Sequence, residues 1–331
     1  MYRTAVPLFF VCETPLHAGS GKELGVVDLP IQRERHTKFP KIEASSLKGA
    51  LRESFAQQAN ATLKEKEKSN YATQNVDLAF GPADVSSNAH AAALGFTDAR
   101  LLFFPVKSVR GLFAWVTCPR VLEQFRSDFA KLDQPLAVAG LDQLFQPEEG
   151  HAWLLSDTTS LRLGNSERII LEEFAFKTEV KPAPTVTGEP MGAYLAKRLF
   201  GTDTWWSDKL QRDLVVLRDE DFGDFVQLST EVVTRIKINP KTGTVDAENG
   251  ALFAEEFLPV DSVLYSLGLF AKLFSQDTLR RDPDTELGSD VAMVQQYFRD
   301  GLDTTIQLGG DATLGKGVLR THLMQLKPAQ P

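Results

Sequence analysis

RTAVPLFFVCET, Arg3–Thr14, is apolar on both of its alternations: Val6, Leu8, Phe10 and Cys12 on one, Ala5, Pro7, Phe9 and Val11 on the other. A strand buried on two faces has this pattern. It runs into a turn-rich loop, His17-Ala-Gly-Ser-Gly21, and then an extended stretch, Val26-Val-Asp-Leu-Pro30. Ser45 and Ser46 are suited to cap a helix carrying Leu47, Ala50, Leu51 and Phe55 at helical spacing. The polar, lysine-rich residues 57–74 read as an exposed extension or loop.

Farther along, 94–104 and 109–118 are strand candidates. Pro119 opens a helix to about Leu132, since proline suits the first helical turn. Short strands are expected near 153–155, 169–176, 214–217 and 231–238, with a helix at 219–228. Residues 252–265 read as extended, 287–299 as helical, and 305–308 and 318–326 as extended. Helices and strands interleave without Rossmann regularity, and no GxGxxG follows a strand. The pattern predicts an α+β fold with an antiparallel sheet, which a ferredoxin-like βαββαβ core with insertions accommodates.

Of the 331 residues, 43% are hydrophobic and 24% charged, the composition of a globular protein with ample core material. No apolar run approaches the roughly 20 residues of a membrane-crossing helix. The start of the chain does not read as a secretory leader. The two cysteines, Cys12 and Cys118, form no CxxC and read as buried thiols of a reducing, cytoplasmic protein. The net charge of −8 argues against a general nucleic-acid binder, but its distribution is uneven. Arg33, Arg35, Lys38, Lys41, Lys48 and Arg52 against Glu34 and Glu43 make residues 33–52 +4, leaving −12 for the rest. This suggests one local anion site on an acidic body.

Two motifs bear on that site. Gly310-x-x-x-x-Gly315-Lys316-Gly317 nearly matches a phosphate-binding P-loop. Gly317 stands where a magnesium-binding hydroxyl is required, so NTP hydrolysis is not expected. What remains is a glycine-dense turn whose N–H groups are able to cradle a phosphate. Ser45-Ser-Leu-Lys-Gly49 places two hydroxyls and Lys48 at a helix N-terminus, a second anion-binding arrangement.

Together, His17-x-Gly-x-Gly21, Val27-Asp28-Leu-Pro30, Arg33-Glu-Arg35, Pro40-x-Ile42, Ser45-Ser-Leu-Lys-Gly-Ala-Leu-Arg52 and Gly309–Gly317 resemble the RAMP superfamily of CRISPR proteins. The likeness is greatest to the repeated backbone subunit of the type III-B (Cmr) effector complex. Gly250-Ala-Leu-Phe-x-Glu-Glu-Phe-Leu-Pro259 extends it, so that it covers nearly the whole chain. The resemblance implies a single domain, 1–331, with a modified ferredoxin-like (RRM-like) palm and an inserted β-hairpin thumb, placed at 177–201. It implies crRNA, target RNA, copies of the chain in a helical stack and other Cmr subunits as partners, and no membrane. It also implies cleavage of target RNA beside displaced nucleotides, with a divalent metal ion (Mg2+ or Mn2+) as cofactor.

By the same resemblance Asp28 is the catalytic residue and the metal ligand. His17, Glu255 and Glu256 are the other catalytic candidates. Lys48, Arg52, Ser45, Ser46, Gly310, Lys316 and Met191 are the RNA-binding ones. Phe257 occupies a place where the family often carries an aromatic hydroxyl, so a role needing that hydroxyl is not expected here. The chemistry of the residues is compatible with this: RNA carries its own nucleophile, the 2′-OH, and one carboxylate, a few cations and a splayed nucleotide suffice to hold the reacting atoms in line and handle protons. Whether Asp28 recruits a metal or acts as a base is open at this level. So is a reading of the chain as a crRNA-binding scaffold without cleavage. A stand-alone metabolic enzyme is disfavoured by the basic cluster and the lack of a cofactor fingerprint.

Overall fold

The computed structural model describes residues 4–22, 25, 27–61, 66–82, 90–143, 146–164, 166–201, 203–236, 241–245, 252–282 and 284–324. Thr4–Cys12 is a strand, and Leu8, Phe9, Phe10 and Cys12 within it are fully buried, as its double apolar alternation requires. It pairs antiparallel with Val263–Phe270 on one side and Val318–Leu323 on the other. Val263–Phe270 pairs antiparallel in turn with Ala99–Lys107. Across the sheet the core strands therefore stand in the order fourth, first, third, second. Helix Ala44–Ala61 lies between the first and second, and helix Val291–Gly301 between the third and fourth. That is the βαββαβ ferredoxin-like arrangement, in agreement with the α+β reading.

Residues 108–262 form a large insertion between the second and third core strands. It prolongs the same sheet through Phe113–Thr117, Leu214–Val216, His151–Leu154, Phe174–Val180 and Arg168–Leu171, in that spatial order. Two of these contacts are parallel. Helix Pro119–Ala130 starts at its proline and buries Val121, Leu122, Phe125 and Phe129. Phe125 meets Phe9 and Tyr265 of the core strands, so insertion and core share one apolar interior. The insertion is therefore an extension of the sheet, not a separate lobe.

Two expectations are corrected. The segment expected as a protruding thumb is not one hairpin. Lys177–Val180 completes a strand between His151–Leu154 and Arg168–Leu171. Thr185–Val186 and Glu189–Pro190 form a short ladder, and Met191–Leu199 is a helix. Met191, Leu195 and Leu199, four residues apart, make a helical stripe that is drawn into the core, whereas the resemblance placed this segment, with Pro182, Pro184 and Pro190, in a protruding thumb. The lysine-rich stretch 57–74 is also more helical than expected: Ala44–Ala61 runs into it, and a second helix, Lys66–Phe80, is anchored by the buried Val76, Leu78, Ala79 and Phe80 at its far end. Both cysteines are buried and free, and burial pushes both thiols up, so neither is a reactive thiolate at neutral pH. Among the described residues no helix is long and apolar enough to cross a membrane.

One buried carboxyl makes stability pH-dependent. Asp261 sits at φ 68° just before the third core strand, with its carbonyl accepting from Trp115 Nε1 at 2.8 Å. Burial, and secondarily Glu13, push its carboxyl up to about 6 from 3.8. The native state therefore holds this proton more tightly than the unfolded chain does. Its stabilising contribution is complete below about pH 4 and is lost as pH rises through about 6. Asp261→Asn removes the charge, and asparagine tolerates the left-handed backbone. It is expected to stabilise the protein by about 1 kcal/mol at pH 7.5, the linkage maximum of about 3 kcal/mol being reduced by water at this partly exposed position. Urea titrations of both proteins at pH 7.5 and pH 4 test this, and an equal gain at both values counts against it.

Candidate functional site

Four stretches from three distant parts of the sequence meet beyond the C-terminal end of the first core strand. Beyond Thr4–Cys12 the chain turns at Leu16, which exchanges backbone hydrogen bonds with Leu258 at 2.9 and 2.8 Å. This fixes the His17 loop against Phe253–Phe257, a strand paired with Glu231–Arg235. The Asp28 loop then lies between the two. Leu29 N–H donates to Ala254 O at 3.0 Å, and Glu256 N–H donates back to Leu29 O at 3.0 Å. Ser20 N–H donates to Pro30 O and Gln32 N–H to Ala18 O, tying the other side of the loop to the His17 segment. The glycine-rich turn closes over the top, with Gly310 N–H donating to His17 O at 2.9 Å.

Two glycines of that turn are demanded by close backbone approach, one of them to His17. Gly309 has φ 87°, and a Cβ there would stand 2.2 Å from His17 O. Gly317 has φ 74°, and its Cβ would stand 1.9 Å from Leu308 O. A side chain at either position forces the backbone apart.

Asp28 is exposed, and its Oδ2 accepts from Ala254 N–H at 2.8 Å, which aims the carboxylate along the strand edge. His17 Nδ1 lies 2.7 Å from Glu256 O. A carbonyl only accepts, so Nδ1 carries a proton and Nε2 is the nitrogen left for chemistry. Nε2 faces Glu255 Oε1 at 3.6 Å. Burial and then the charge of Asp311 raise the Glu255 carboxyl above its ordinary value. Glu255 also meets Arg235 at 3.3 Å, and Arg235 is ion-paired with Asp311 of the glycine turn. Successive residues of a strand point to opposite faces, so Glu256 turns away from Glu255. Its carboxylate accepts from Ile31 N–H at 3.0 Å, from Thr230 Oγ1 at 2.8 Å and from Arg33. Glu256 is thus spent on holding the Asp28 loop, which corrects its expected catalytic role.

The structure brings together Asp28, His17, Glu255, Gly310 and Lys316. The basic segment contributes less than its charge suggested. Arg33 is paired with Glu256, Lys41 with Asp98 and Glu43, and Arg52 with Asp77 at 2.6 Å. Arg35, Lys38 and Lys48 make no ion pair among the described residues. Lys48 is half-buried, and burial together with Arg52 lowers its ammonium; an anion placed there would relieve both effects. The helix begins at Ala44, whose N–H donates to Asp98 at 2.9 Å, so Ser45 and Ser46 lie inside the first turn and do not cap it. Ser45 is exposed, and Ser46 Oγ accepts from Gln32 Nε2 at 3.2 Å. Met191 is fully buried and presents no surface to RNA, a correction that follows from its place in the core-facing stripe. Val26 and Gly250 of the quoted motifs lie outside the described residues.

Two residues of the cluster were not singled out in the sequence. Asp311 stands inside the glycine turn, where its charge gave a signal that was read only as a turn residue. Arg235 lies in an ordinary strand pattern and gave none.

Among the described residues no three metal-ligating side chains of His, Cys, Asp or Glu come together. No protein cage is therefore present among those residues, and the exposed carboxylate of the cluster, Asp28, is the kind of donor that a hydrated divalent ion takes.

Comparison with known proteins gives the family and relatives of the same fold. The RAMP superfamily signature matches residues 9–320. The chain is 36% identical over 315 residues to the CRISPR system Cmr endoribonuclease Cmr4 of Pyrococcus furiosus, covering 95% of this chain and 93% of that protein. Its fold is similar to the crystal structure of oligomeric Cmr4 from P. furiosus, with a TM-score of 0.64 and 26% identity over 98% of this chain and 99% of that one. A chain of the type III-B Cmr-beta complex, solved by cryo-EM bound to cognate target RNA, shares the fold with a TM-score of 0.69 at 21% identity, over 97% of this chain and 98% of that one. By the extent of the match and the level of identity, the protein belongs to the RAMP superfamily.

Proposed function

We propose that the protein is a backbone subunit of a type III-B CRISPR effector complex that binds crRNA, stacks on copies of itself and on other Cmr subunits, and cleaves target RNA paired to the guide. The observation that carries this reading is the convergence of Asp28, His17, Glu255 and the glycine turn on one edge, in a chain 36% identical to a protein named as a Cmr endoribonuclease. The guide is gripped through its backbone, so the protein needs no base-reading code. Lys48, with Ser45 beside it, supplies the phosphate contact at the helix start.

In the cleavage step the 2′-hydroxyl of one nucleotide gives up its proton to the Asp28 carboxylate or to water, its oxygen bonds to the adjacent phosphorus, and the bond to the 5′-oxygen breaks, leaving a cyclic phosphate and a 5′-hydroxyl. The Asp28 carboxylate lies on the open edge, where it orients the scissile sugar-phosphate. His17, fixed through Nδ1 and with Nε2 facing Glu255, is the imidazole placed to pass a proton from Nε2 to the departing oxygen. The cofactor is a divalent metal ion (Mg2+ or Mn2+) that Asp28 would hold; when bound it supplies positive charge to the phosphate.

The test is a complex assembled with crRNA and challenged with labelled complementary RNA. Regularly spaced cleavage products are expected, lost on chelation and restored by Mg2+ or Mn2+, with non-complementary RNA left intact. Tight binding of an uncut complementary RNA would establish the scaffold role instead. Cleavage that persists in chelator would remove the metal from the scheme.

A further inference from the structure

Phe257 is fully buried yet is not part of the contiguous apolar core. Polar and charged side chains cover it. His17 packs against it edge-on, with ring centroids 5.6 Å apart. The guanidinium of Arg235 lies 5.7 Å from the ring centre and the ammonium of Lys316 lies 5.1 Å from it. The face of an aromatic ring attracts cations, so Phe257 acts as a platform that holds both close to His17.

The two cations are not equivalent. Arg235 is committed to two carboxylates, Glu255 at 3.3 Å and Asp311 of the glycine turn. Lys316 makes no ion pair among the described residues, although Asp311 lies in the same turn and its carbonyl accepts from Lys316 N–H at 3.2 Å. By taking the Asp311 carboxylate, Arg235 leaves the Lys316 ammonium with only the ring beneath it. Lys316 is also half-buried, so part of its hydration is already removed.

We propose that Lys316 is a catalytic cation of the RNA-cleavage step, held on the Phe257 platform, with Arg235 and Asp311 as its positioning residues. The inference rests on the reading of this edge as the cleavage site and assigns Lys316 a role beyond binding the RNA backbone. As the 2′-oxygen bonds to phosphorus, and before the bond to the 5′-oxygen breaks, the phosphoryl group carries more negative charge than in the bound RNA. A preorganised ammonium beside it stabilises that charge more than it stabilises the ground state. No proton leaves Lys316; its contribution is charge.

The experiment is single-turnover cleavage at saturating target by crRNA-loaded complexes carrying wild-type chain, Lys316→Ala, Lys316→Arg or Arg235→Met, with target affinity measured on the same preparations. Lys316→Ala is expected to cleave roughly 10²–10³-fold more slowly, the cost of losing one preorganised charge donor, with affinity within about threefold of wild type. Lys316→Arg is expected to recover most of the rate, because the requirement is charge. Arg235→Met is expected to lower the rate without lowering affinity, because the turn loses its tether and Lys316 gains a competing carboxylate. Lys316→Ala that cleaves at the wild-type rate once saturated, with only its affinity reduced, would make Lys316 a backbone contact and overturn the inference while leaving the cleavage reading intact. Wild-type complexes that bind target and do not cut it would overturn the reading itself.

Discussion

A complex assembled with Asp28→Asn is expected to bind crRNA and target RNA as the wild type does and to cleave the target roughly 10²–10⁴-fold more slowly, the scale of losing an essential acid–base group. The structural contact of Asp28 survives the change. Its Oδ2 accepts one hydrogen bond, from Ala254 N–H at 2.8 Å, and the asparagine carbonyl is able to accept the same bond. The side chain is exposed, so the substitution leaves no buried group unpaired. What is lost is the negative charge, and with it the capacity to take a proton or hold a hydrated cation. Asp28→Ala is expected to give the same rate with a looser loop. Single-turnover cleavage and equilibrium binding on the same target separate the outcomes. Normal cleavage by the asparagine variant would move the chemistry to Glu255 and His17. Joint loss of binding and cleavage would make Asp28 a structural residue.

The core of the fold was legible because its signals are local. Thr4–Cys12 announces a central strand through apolar residues on both alternations, and Leu47, Leu51 and Phe55 mark the buried stripe of the first helix. The insertion was not legible, because its strands are short and two of its pairings are parallel, joining segments with no turn between them to reveal the register. Prolines near Met191 obscured a four-residue stripe that belongs to the core. For the site, the glycines, His17 and Asp28 stood out by resemblance and the fold brings them together. The division of labour within it was not readable. Arg33 and Glu256 look like a phosphate binder and a catalytic acid in sequence, and only their pairing across 223 positions turns both into scaffolding. Arg235 is likewise invisible until Asp311 is placed beside it.

Glu256 is the residue where structure and resemblance diverge most, and its substitution distinguishes them. Its buried carboxylate takes the Ile31 N–H, the Thr230 hydroxyl and the Arg33 guanidinium, and Arg33 in turn donates to the carbonyls of Lys38 and Val226 at 2.8 and 2.9 Å. Glu256→Ala leaves the charge of Arg33 uncompensated, with its Nη2 and the buried Ile31 N–H without their acceptor. The expected cost is about 3 kcal/mol, the scale of breaking one side of a buried ion pair. Because Ile31 lies three residues beyond Asp28, the same change frees the loop that aims the Asp28 carboxylate, so cleavage is expected to fall along with stability. Glu256→Gln keeps one acceptor oxygen, which serves either Ile31 N–H or the Arg33 and Thr230 side, and loses the charge facing Arg33. It is expected to lose about 1–2 kcal/mol, less than the alanine variant, and to cleave within about tenfold of wild type at temperatures where it is folded. A catalytic carboxylate behaves in the opposite way: the amide variant loses roughly 10²-fold or more in rate with little change in stability. Urea denaturation of both variants alongside single-turnover cleavage gives the answer. A Glu256→Gln complex as stable as wild type and as slow as Asp28→Asn would return Glu256 to the chemistry.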